Sequence, residues 1–202
     1  MSFKRVVFLG VGEVGNQALL HLVPYLSAEQ ARKYSYILVD GDRVERRNPS
    51  YRTGGWGEGV YKVAAAGYSF AAQLGLRLVS NASIPLLTPD GMVVAVPKFV
   101  TCKEMEFALR PTDLLVESSD QYHLQNLTGL HVHTGLLFDR PAFTIQFGKF
   151  NRQAGNRNDP DCPELLGFAA MKAGERAAEI IAEIVTEKKS DFLSLYLSEF
   201  VQ

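Results

Sequence analysis

The feature that most constrains this chain is a series of short apolar runs that lack polar alternation. The runs are RVVFL (5–9), YILVD (36–40), MVVAV (92–96), DLLVE (113–117) and AFTIQF (142–147). Strands buried on both faces have this continuous apolar character, because neither face meets water. Strands that alternate with helices along a chain build a parallel sheet covered by those helices. The sequence therefore predicts an α/β fold, with a doubly wound, mostly parallel sheet and helices on both faces.

Four further segments have the length and apolar spacing of helices. They are NQALLHLVPYL (16–26), YKVAAAGYSFAAQL (61–74), HLQNLTGLHVHTGLLF (123–138) and FAAMKAGERAAEIIAEIVTEK (168–188). Before the last of them lies a polar stretch with glycine and proline that is too long for a routine connection. We therefore expect one domain over residues 1–202, with a crossover or lid loop at about 148–167 and a terminal helix and tail at 168–202.

The composition argues against a nucleic-acid-binding, disulfide-rich or membrane-spanning protein. The 202 residues are 47% hydrophobic and 21% charged, with a formal net charge of −1, so the chain lacks the basic character that nucleic-acid binding requires. The two cysteines, Cys102 and Cys162, form no CxxC pair, so neither a disulfide framework nor a structural zinc site is expected. The sequence contains no leader and no membrane-spanning stretch, so we expect a cytoplasmic protein that does not bind a membrane.

GVGEVG, residues 10–15, lies directly between the first apolar run and the first helical segment. In such a turn Gly10 permits the tight bend, Gly12 lets the backbone approach a phosphate, and Gly15 allows the helix to pack on the strand. The free amide groups at a helix N-terminus favour an anion. Asp40, which ends the second run 28 residues after Gly12, stands at the position of a ribose-binding acid. These features predict a Rossmann-like nucleotide site.

The residues that follow Asp40 favour a nucleoside triphosphate over a nicotinamide cofactor. Asn48, Arg52 and Lys62 are expected to converge at the strand ends, where cations stabilise the β- and γ-phosphates as pyrophosphate leaves. Asp120, which ends DLLVESSD, stands at the mouth of another strand, where a carboxylate could hold Mg²⁺. A nicotinamide-dependent oxidoreductase would use the glycines and Asp40, but its cofactor would not require Arg52, Lys62 or Asp120.

This set of residues resembles the ubiquitin-activating-enzyme superfamily in its bacterial ThiF/MoeB/HesA form, over nearly the whole chain. The family pattern is a glycine-rich loop, a D-x-D-x-V element, N-L-x-R-Q, a lysine that opens the next helix, and a later aspartate. The matching residues are Asp40, Asp42, Val44, Asn48, Lys62 and Asp120. Three positions differ: Pro49 replaces the usual leucine, Tyr51 stands where the family has its arginine, with Arg52 one position later, and Glu13 replaces a residue that is usually small.

The resemblance implies an adenylyltransferase that uses ATP and Mg²⁺. Gly12 and Asp40 would bind the adenosine side, Asn48, Arg52 and Lys62 the phosphates and Asp120 the magnesium ion, while Gly10, Gly15 and Asp42 complete the cofactor-binding set. The implied substrate is the C-terminal carboxylate of a small ubiquitin-like or sulfur-carrier protein. The implied assembly is a homodimer, or a heterodimer with another ThiF-like chain.

Cys162 is the candidate nucleophile, because the resemblance places a cysteine before the final core helix. Its anionic neighbours in the same loop disfavour a thiolate, so a covalent role and a passive loop cysteine both stay open. His131 and His133, two apart in a predicted helix, face different sides and form no metal pair. The alternative function is a non-catalytic ThiF-like scaffold or partner subunit, and an NAD-dependent oxidoreductase is the weaker third.

Overall fold

The computed structural model describes residues 4–110, 112–119, 130–137, 142–147, 163–186 and 199–200. Within these ranges eight strands form one sheet in the order β3-β4-β2-β1-β5-β6-β7-β8. The strands are β1 (Arg5–Leu9), β2 (Ser35–Val39), β3 (Arg77–Ser80), β4 (Met92–Val96), β5 (Asp113–Glu117), β6 (Leu130–Leu137), β7 (Ala142–Phe147) and β8 (Glu199–Phe200). The first six strands in this spatial order are parallel, whereas β7 and β8 pair antiparallel.

Six α-helices accompany these strands in the part of the chain that the structure describes. They are α1 (Glu13–Leu22), α2 (Ala28–Ala31), α3 (Pro49–Thr53), α4 (Lys62–Leu74), α5 (Cys102–Ala108) and α6 (Pro163–Val185), with a 3₁₀ turn over Val23–Tyr25 after α1. The predicted α/β, Rossmann-like fold with a mostly parallel sheet is confirmed. None of the described helices has the length and apolar character needed to cross a bilayer.

The prediction of a helix at 123–138 is wrong for the part that is described, because Leu130–Leu137 forms β6. The segment LHVHT alternates apolar and polar residues with a period of two, which is typical of a strand, and Val132 and Thr134 are β-branched. The helical spacing used to separate His131 from His133 therefore does not apply. Two further differences concern helix starts: α6 begins at Pro163 and not at 168, and Cys102 opens α5, a helix that was not among the four predicted.

The sheet separates two hydrophobic layers. On one face α1, α4 and α6 cover the strands, and on the other face α5 and the loops around it cover them through residues such as Val100, Met105 and Leu109. All residues of β1, β2 and β5 are buried, which explains their continuous apolar character. Helices α1 and α6 approach so closely that a Cβ added at Gly174 would lie 2.4 Å from the Cβ of Gln17.

A buried ion pair joins β1 to β5 at the amino ends of the strands. Arg5 and Asp113 are register partners, and the guanidinium donates to both carboxylate oxygens, with Nε 2.8 Å from Oδ1. The same guanidinium donates to the carbonyls of Pro85 and Ala108, at 2.7 and 2.8 Å. All N–H groups of the guanidinium therefore have acceptors. The pair joins the amino ends of the two strands, whereas ligands of α/β proteins bind at the carboxyl ends.

Candidate functional site

A cavity of about 340 Å³ lies at the carboxyl ends of the central strands. It is positioned where β1 neighbours β2 on one side and β5 on the other, and the chain order reverses there. In open α/β sheets, ligands bind at this switch point. The lining residues are Leu9, Gly10, Gly12, Glu13, Val39, Asp40, Asp42, Arg47, Asn48, Lys62, Lys98, Phe99, Val100, Ser118 and Ser119.

The glycines of the loop between β1 and α1 have three different surroundings. Gly10 has φ +83°, and a Cβ there would lie 2.7 Å from the amide nitrogen of Ser119. A Cβ at Gly15 would lie 2.3 Å from the carbonyl oxygen of Gly10, so the helix and the loop touch at that point. A Cβ at Gly12 would meet nothing within 4 Å. Gly10 and Gly15 are thus required by packing, whereas the space above Gly12 is open to a ligand.

The backbone polar groups of this loop have protein partners with one exception. Gly10 donates to Val39 O at 2.9 Å and accepts from Ser118 Oγ at 2.6 Å. Val11 donates to Asp40 Oδ2 at 2.7 Å and accepts from Tyr51 Oη at 2.5 Å. Gly12 accepts the first helical bond at 2.9 Å, but among the described residues its own N–H has no acceptor. The amide of Gly12 is therefore available to an anion.

Asp40 connects this loop to the segment after β2. One carboxylate oxygen accepts the N–H of Val11 and the other accepts the N–H of Asp42 at 2.8 Å. Burial raises the pKa of Asp40, while these two hydrogen bonds and the nearby Lys62 oppose that rise. Each oxygen retains a lone pair that can accept a further donor, so the carboxylate can also bind a ribose hydroxyl.

Lys62 is the first residue of α4 and is only 7% exposed. Its ammonium lies 2.9 Å from Asp42 Oδ2, and its backbone N–H donates to the carbonyl of Asp42 at 3.0 Å. The sequence analysis missed two other cations that line the cavity, Arg47 and Lys98. Arg47 pairs with Glu45 at 2.6 Å and Lys98 pairs with Glu104. All three lining cations are therefore already paired with a carboxylate.

Lys98 and Phe99 enter the cavity from the loop between β4 and α5. The N-terminus of α5 carries a capping box, in which the side chain of Thr101 accepts the N–H of Glu104 and Glu104 accepts the N–H of Thr101. The pattern T-x-x-E is a sequence signal for a helix start, so α5 and the preceding loop could have been found from the sequence. The ring of Phe99 packs over Gly41, where a Cβ would lie 2.5 Å from it.

The predicted site residues divide into three groups. Gly10, Gly12, Asp40, Asp42, Asn48 and Lys62 line the cavity, and Gly15 packs behind it. Arg52 is exposed on α3 and does not line the cavity. Asp120 and Cys162 lie outside the described residues, although Ser118 and Ser119, which directly precede Asp120, line the cavity. Asn48 Oδ1 accepts the N–H of Glu45 at 2.8 Å, which shapes the loop before α3.

Glu13, the first residue of α1, places a carboxylate beside Gly12. Its Oε1 accepts the N–H of Ser50 at 3.2 Å, while its Oε2 is buried without a hydrogen-bond partner in the described part of the chain. Carboxylates are favourable in the first turn of a helix, but this one also adds negative charge where a phosphate would approach. No group of three or more His, Cys, Asp or Glu among the described residues is arranged to hold a metal ion.

A second cavity, of about 330 Å³, lies between α1 and α3. Asn16, Ser50, Tyr51, Trp56 and Ser69 are among the residues that line it. Asn16 Nδ2 donates to Ser50 Oγ at 2.8 Å, and Trp56 Nε1 donates to Ser69 Oγ at 3.2 Å. Tyr51 lines this second cavity but not the first, whereas Gly10 and Gly12 line only the first.

Solved structures show where this architecture occurs. The crystal structure of E. coli MccB is similar to the chain with a TM-score of 0.63 and 13% identity, over 94% of this chain and 56% of MccB. E. coli MccB with SeMet MccA gives a TM-score of 0.61 and 14% identity, over 94% of this chain and 58% of that one. The chain shares the fold of MccB. It spans a little over half the length of these MccB chains.

A third solved structure has a length close to that of this chain. HcgE from Methanothermobacter marburgensis, with guanylylpyridinol and ATP bound, gives a TM-score of 0.55 and 12% identity, over 94% of this chain and 98% of HcgE. No family model matches the sequence, and no curated protein matches it. The similarity to MccB and HcgE therefore shows the fold of the chain.

Proposed function

We propose that this protein binds ATP and adenylates the C-terminal carboxylate of a small ubiquitin-like or sulfur-carrier protein. The observation that carries the proposal is the backbone of the glycine loop. From Gly10 to Gly12 its polar groups have partners among the described residues, except the amide of Gly12. Gly12 lines the cavity together with Asp40 and Lys62. A free amide, a ribose-binding carboxylate and a cation within one cavity are the parts that a nucleotide requires.

Each residue has a role in this proposal. Asp40 accepts a ribose hydroxyl, the amide of Gly12 donates to a phosphate oxygen, and Asn48 and Lys62, which line the cavity, bind the triphosphate. Asp120 holds Mg²⁺, which would neutralise charge on the phosphates when bound. The placement of Ser118 and Ser119 at the cavity supports the role of Asp120, and ATP in the related fold of HcgE supports the choice of nucleotide.

The reaction forms one bond and breaks one. An oxygen of the substrate carboxylate attacks the α-phosphorus of ATP, and the bond from that phosphorus to the bridging oxygen of the β-phosphate breaks. Acyl adenylate and pyrophosphate are the products, and no proton is transferred in this step. Negative charge increases on the departing pyrophosphate, so Lys62 in a partly closed cavity stabilises that state. In a later step of the same proposal, the thiolate of Cys162 attacks the acyl carbon of the adenylate, which forms a thioester and releases AMP.

A second candidate function has a specific observation in its favour. The lining cations Arg47, Lys62 and Lys98 are each paired with a carboxylate, and the predicted Arg52 does not line the cavity. A chain with few unpaired cations at its phosphate site could bind a nucleotide as the non-catalytic subunit of a heterodimer. A homodimer or heterodimer with another ThiF-like chain would supply the missing charge.

Pyrophosphate exchange tests the proposal directly. Purified protein is incubated with ATP, Mg²⁺ and labelled pyrophosphate, with each small carrier protein that is encoded nearby or with none. Label entering ATP only when a carrier with an intact C-terminus is present supports adenylation, and a carrier that lacks its last residue is the matched control. ATP binding without exchange favours the partner subunit. Binding of NAD(H) with no response to ATP and Mg²⁺ contradicts both.

A further inference from the structure

We infer that Tyr51 is a positioning residue that aims the amide of Gly12 at the phosphate site. The phenol hydroxyl of Tyr51 donates to the carbonyl of Val11 at 2.5 Å, from the side of the second cavity. The carboxylate of Asp40 accepts the N–H of Val11 at 2.7 Å. Val11 is therefore fixed at both its polar groups, by two side chains from different segments of the chain.

Because the peptide bond is planar, fixing the carbonyl of Val11 also fixes the direction of the N–H of Gly12. The carbonyl of Val11 and the N–H of Gly12 belong to one peptide group, and the described chain contains no cis peptide bond. In a trans peptide the C=O and the N–H point in opposite directions. Because the carbonyl points to Tyr51, the N–H of Gly12 points away from Tyr51. Gly12 lines the first cavity and Tyr51 does not, so we assign this direction to the first cavity.

Tyr51 suits this role because its hydroxyl remains a donor. The side chain is 1% exposed and packs in the core layer that contains Val11, Val14 and Val63. Burial and the nearby carboxylates of Asp40 and Glu13 raise the pKa of Tyr51 well above its ordinary value, so the phenol stays protonated at neutral pH. A phenolate could not donate to a carbonyl and would release the peptide.

The chain contains a matched control for removal of this hydroxyl. Tyr36 in β2 is equally buried, and its ring packs edge-on against Phe70 at 4.9 Å between centroids. Its hydroxyl has no hydrogen-bond partner within the described residues. Tyr36→Phe and Tyr51→Phe therefore delete the same atom from the same buried environment, but only Tyr51→Phe frees a backbone carbonyl.

The first test measures nucleotide affinity by calorimetry and rests on the proposed function. Tyr51→Phe is expected to weaken AMP and ATP binding by about five- to tenfold, the typical effect of one hydrogen bond, and to leave adenosine binding unchanged. Adenosine has no phosphate for the Gly12 amide, so its affinity reports only the ribose side. Tyr36→Phe is expected to change none of the three affinities. An equal loss for adenosine, or no loss for AMP, overturns the inference.

The second test needs no nucleotide, so it separates failure of this inference from failure of the proposed function. Residual dipolar couplings of backbone amides report the direction of each N–H bond. In the ligand-free protein, Tyr51→Phe is expected to change the coupling of Gly12, whereas Tyr36→Phe leaves it as in the wild type. An unchanged Gly12 coupling in Tyr51→Phe overturns the inference. A Tyr51→Phe chain that does not fold also overturns it, because the hydroxyl would then support the core.

Discussion

The ammonium of Lys62 lies 2.9 Å from the carboxylate of Asp42 on the wall of the candidate nucleotide cavity. In the nucleotide-free protein this pair keeps a nearly buried cation compensated, since Asp42 is half exposed and Lys62 is not. A triphosphate would offer Lys62 a second anionic partner. Triphosphate binding would then require Lys62 to exchange Asp42 for a phosphate as its partner, and would not require burial of a further positive charge.

Lys62→Ala is expected to weaken ATP binding far more than AMP binding and to lower pyrophosphate exchange by about 100- to 1,000-fold, as loss of an electrostatic donor typically does. The reason is that AMP lacks the phosphates that Lys62 would hold. Arg52→Ala removes the same charge from the exposed surface of α3 and is expected to have a much smaller effect. Equal losses in the two variants would restore Arg52 to the triphosphate site.

Glu13→Gln is expected to raise the affinity for ATP by about three- to tenfold, because it removes one negative charge beside the phosphate approach at a moderate effective dielectric. Glutamine retains an oxygen that can accept the N–H of Ser50, so the contact between α1 and α3 persists. Glu58→Gln, an exposed substitution outside the cavity lining, is the control for net charge. Calorimetry at two salt concentrations measures the effect. A loss of ATP affinity in Glu13→Gln would show that the carboxylate assists binding.

Asp120→Asn is expected to abolish pyrophosphate exchange while leaving the melting temperature nearly unchanged. The substitution preserves size and removes the charge that would hold Mg²⁺. Exchange is measured across a range of Mg²⁺ concentrations, with thermal melting of the same samples as the control. Unaltered exchange would contradict the magnesium role of Asp120, and unfolding would assign the side chain to packing.

Asp113→Ala is expected to destabilise the fold by about 3–5 kcal/mol, because it leaves the buried guanidinium of Arg5 without its carboxylate. Asp90→Ala, which breaks an exposed pair with Lys4 at 3.6 Å, is expected to cost less than about 1 kcal/mol. Urea denaturation monitored by circular dichroism measures both. Nucleotide affinity should not change in either variant, since Arg5 and Asp113 lie at the opposite edge of the sheet. A similar cost for the two substitutions would contradict the prediction.

Glu104 is expected to titrate with a pKa of about 2, because Lys98, the N–H of Thr101 and the Thr101 hydroxyl all favour its ionised form. The folded-state pKa lies below the unfolded value. The carboxylate therefore supports the start of α5 at pH values above the unfolded pKa, and this support is lost as the pH falls towards 2. The side-chain carboxyl shift of Glu104 in an NMR titration measures it. Lys98→Ala should raise the pKa, and an unperturbed pKa in the wild type would show that the pair does not persist in solution.

Sequence patterns predicted the buried parts of the fold well and its edges poorly. The strands β1, β2, β4 and β5 are buried, and burial requires the runs of apolar residues by which these strands were predicted. The four-residue strand β3 is largely exposed and has no such signal. For β6 the alternation of LHVHT was present, but the length of the surrounding apolar segment favoured a helix.

The candidate site shows the same limit. The glycines and Asp40 lie directly at the ends of predicted strands, so the strand pattern located them, whereas Lys62 was located by its place at the start of a helical segment and by the family resemblance. Tyr51 contacts the glycine loop only because α3 packs against that loop, and nothing local to PSYRT indicates this contact. Arg47 and Lys98 reach the first cavity from loops whose paths depend on the folded chain.

The glycines of this chain are under two kinds of evolutionary constraint. At Gly10, Gly15 and Gly174 a methyl group would collide with backbone or with a neighbouring helix, so drift at these positions is blocked by the fold itself. At Gly12 a methyl group would meet only empty space. A population free to lose nucleotide binding would therefore accept alanine at Gly12 while retaining the other three glycines. Among distant descendants of this chain, the residue at that one position would distinguish lineages that kept the ligand from those that kept only the architecture.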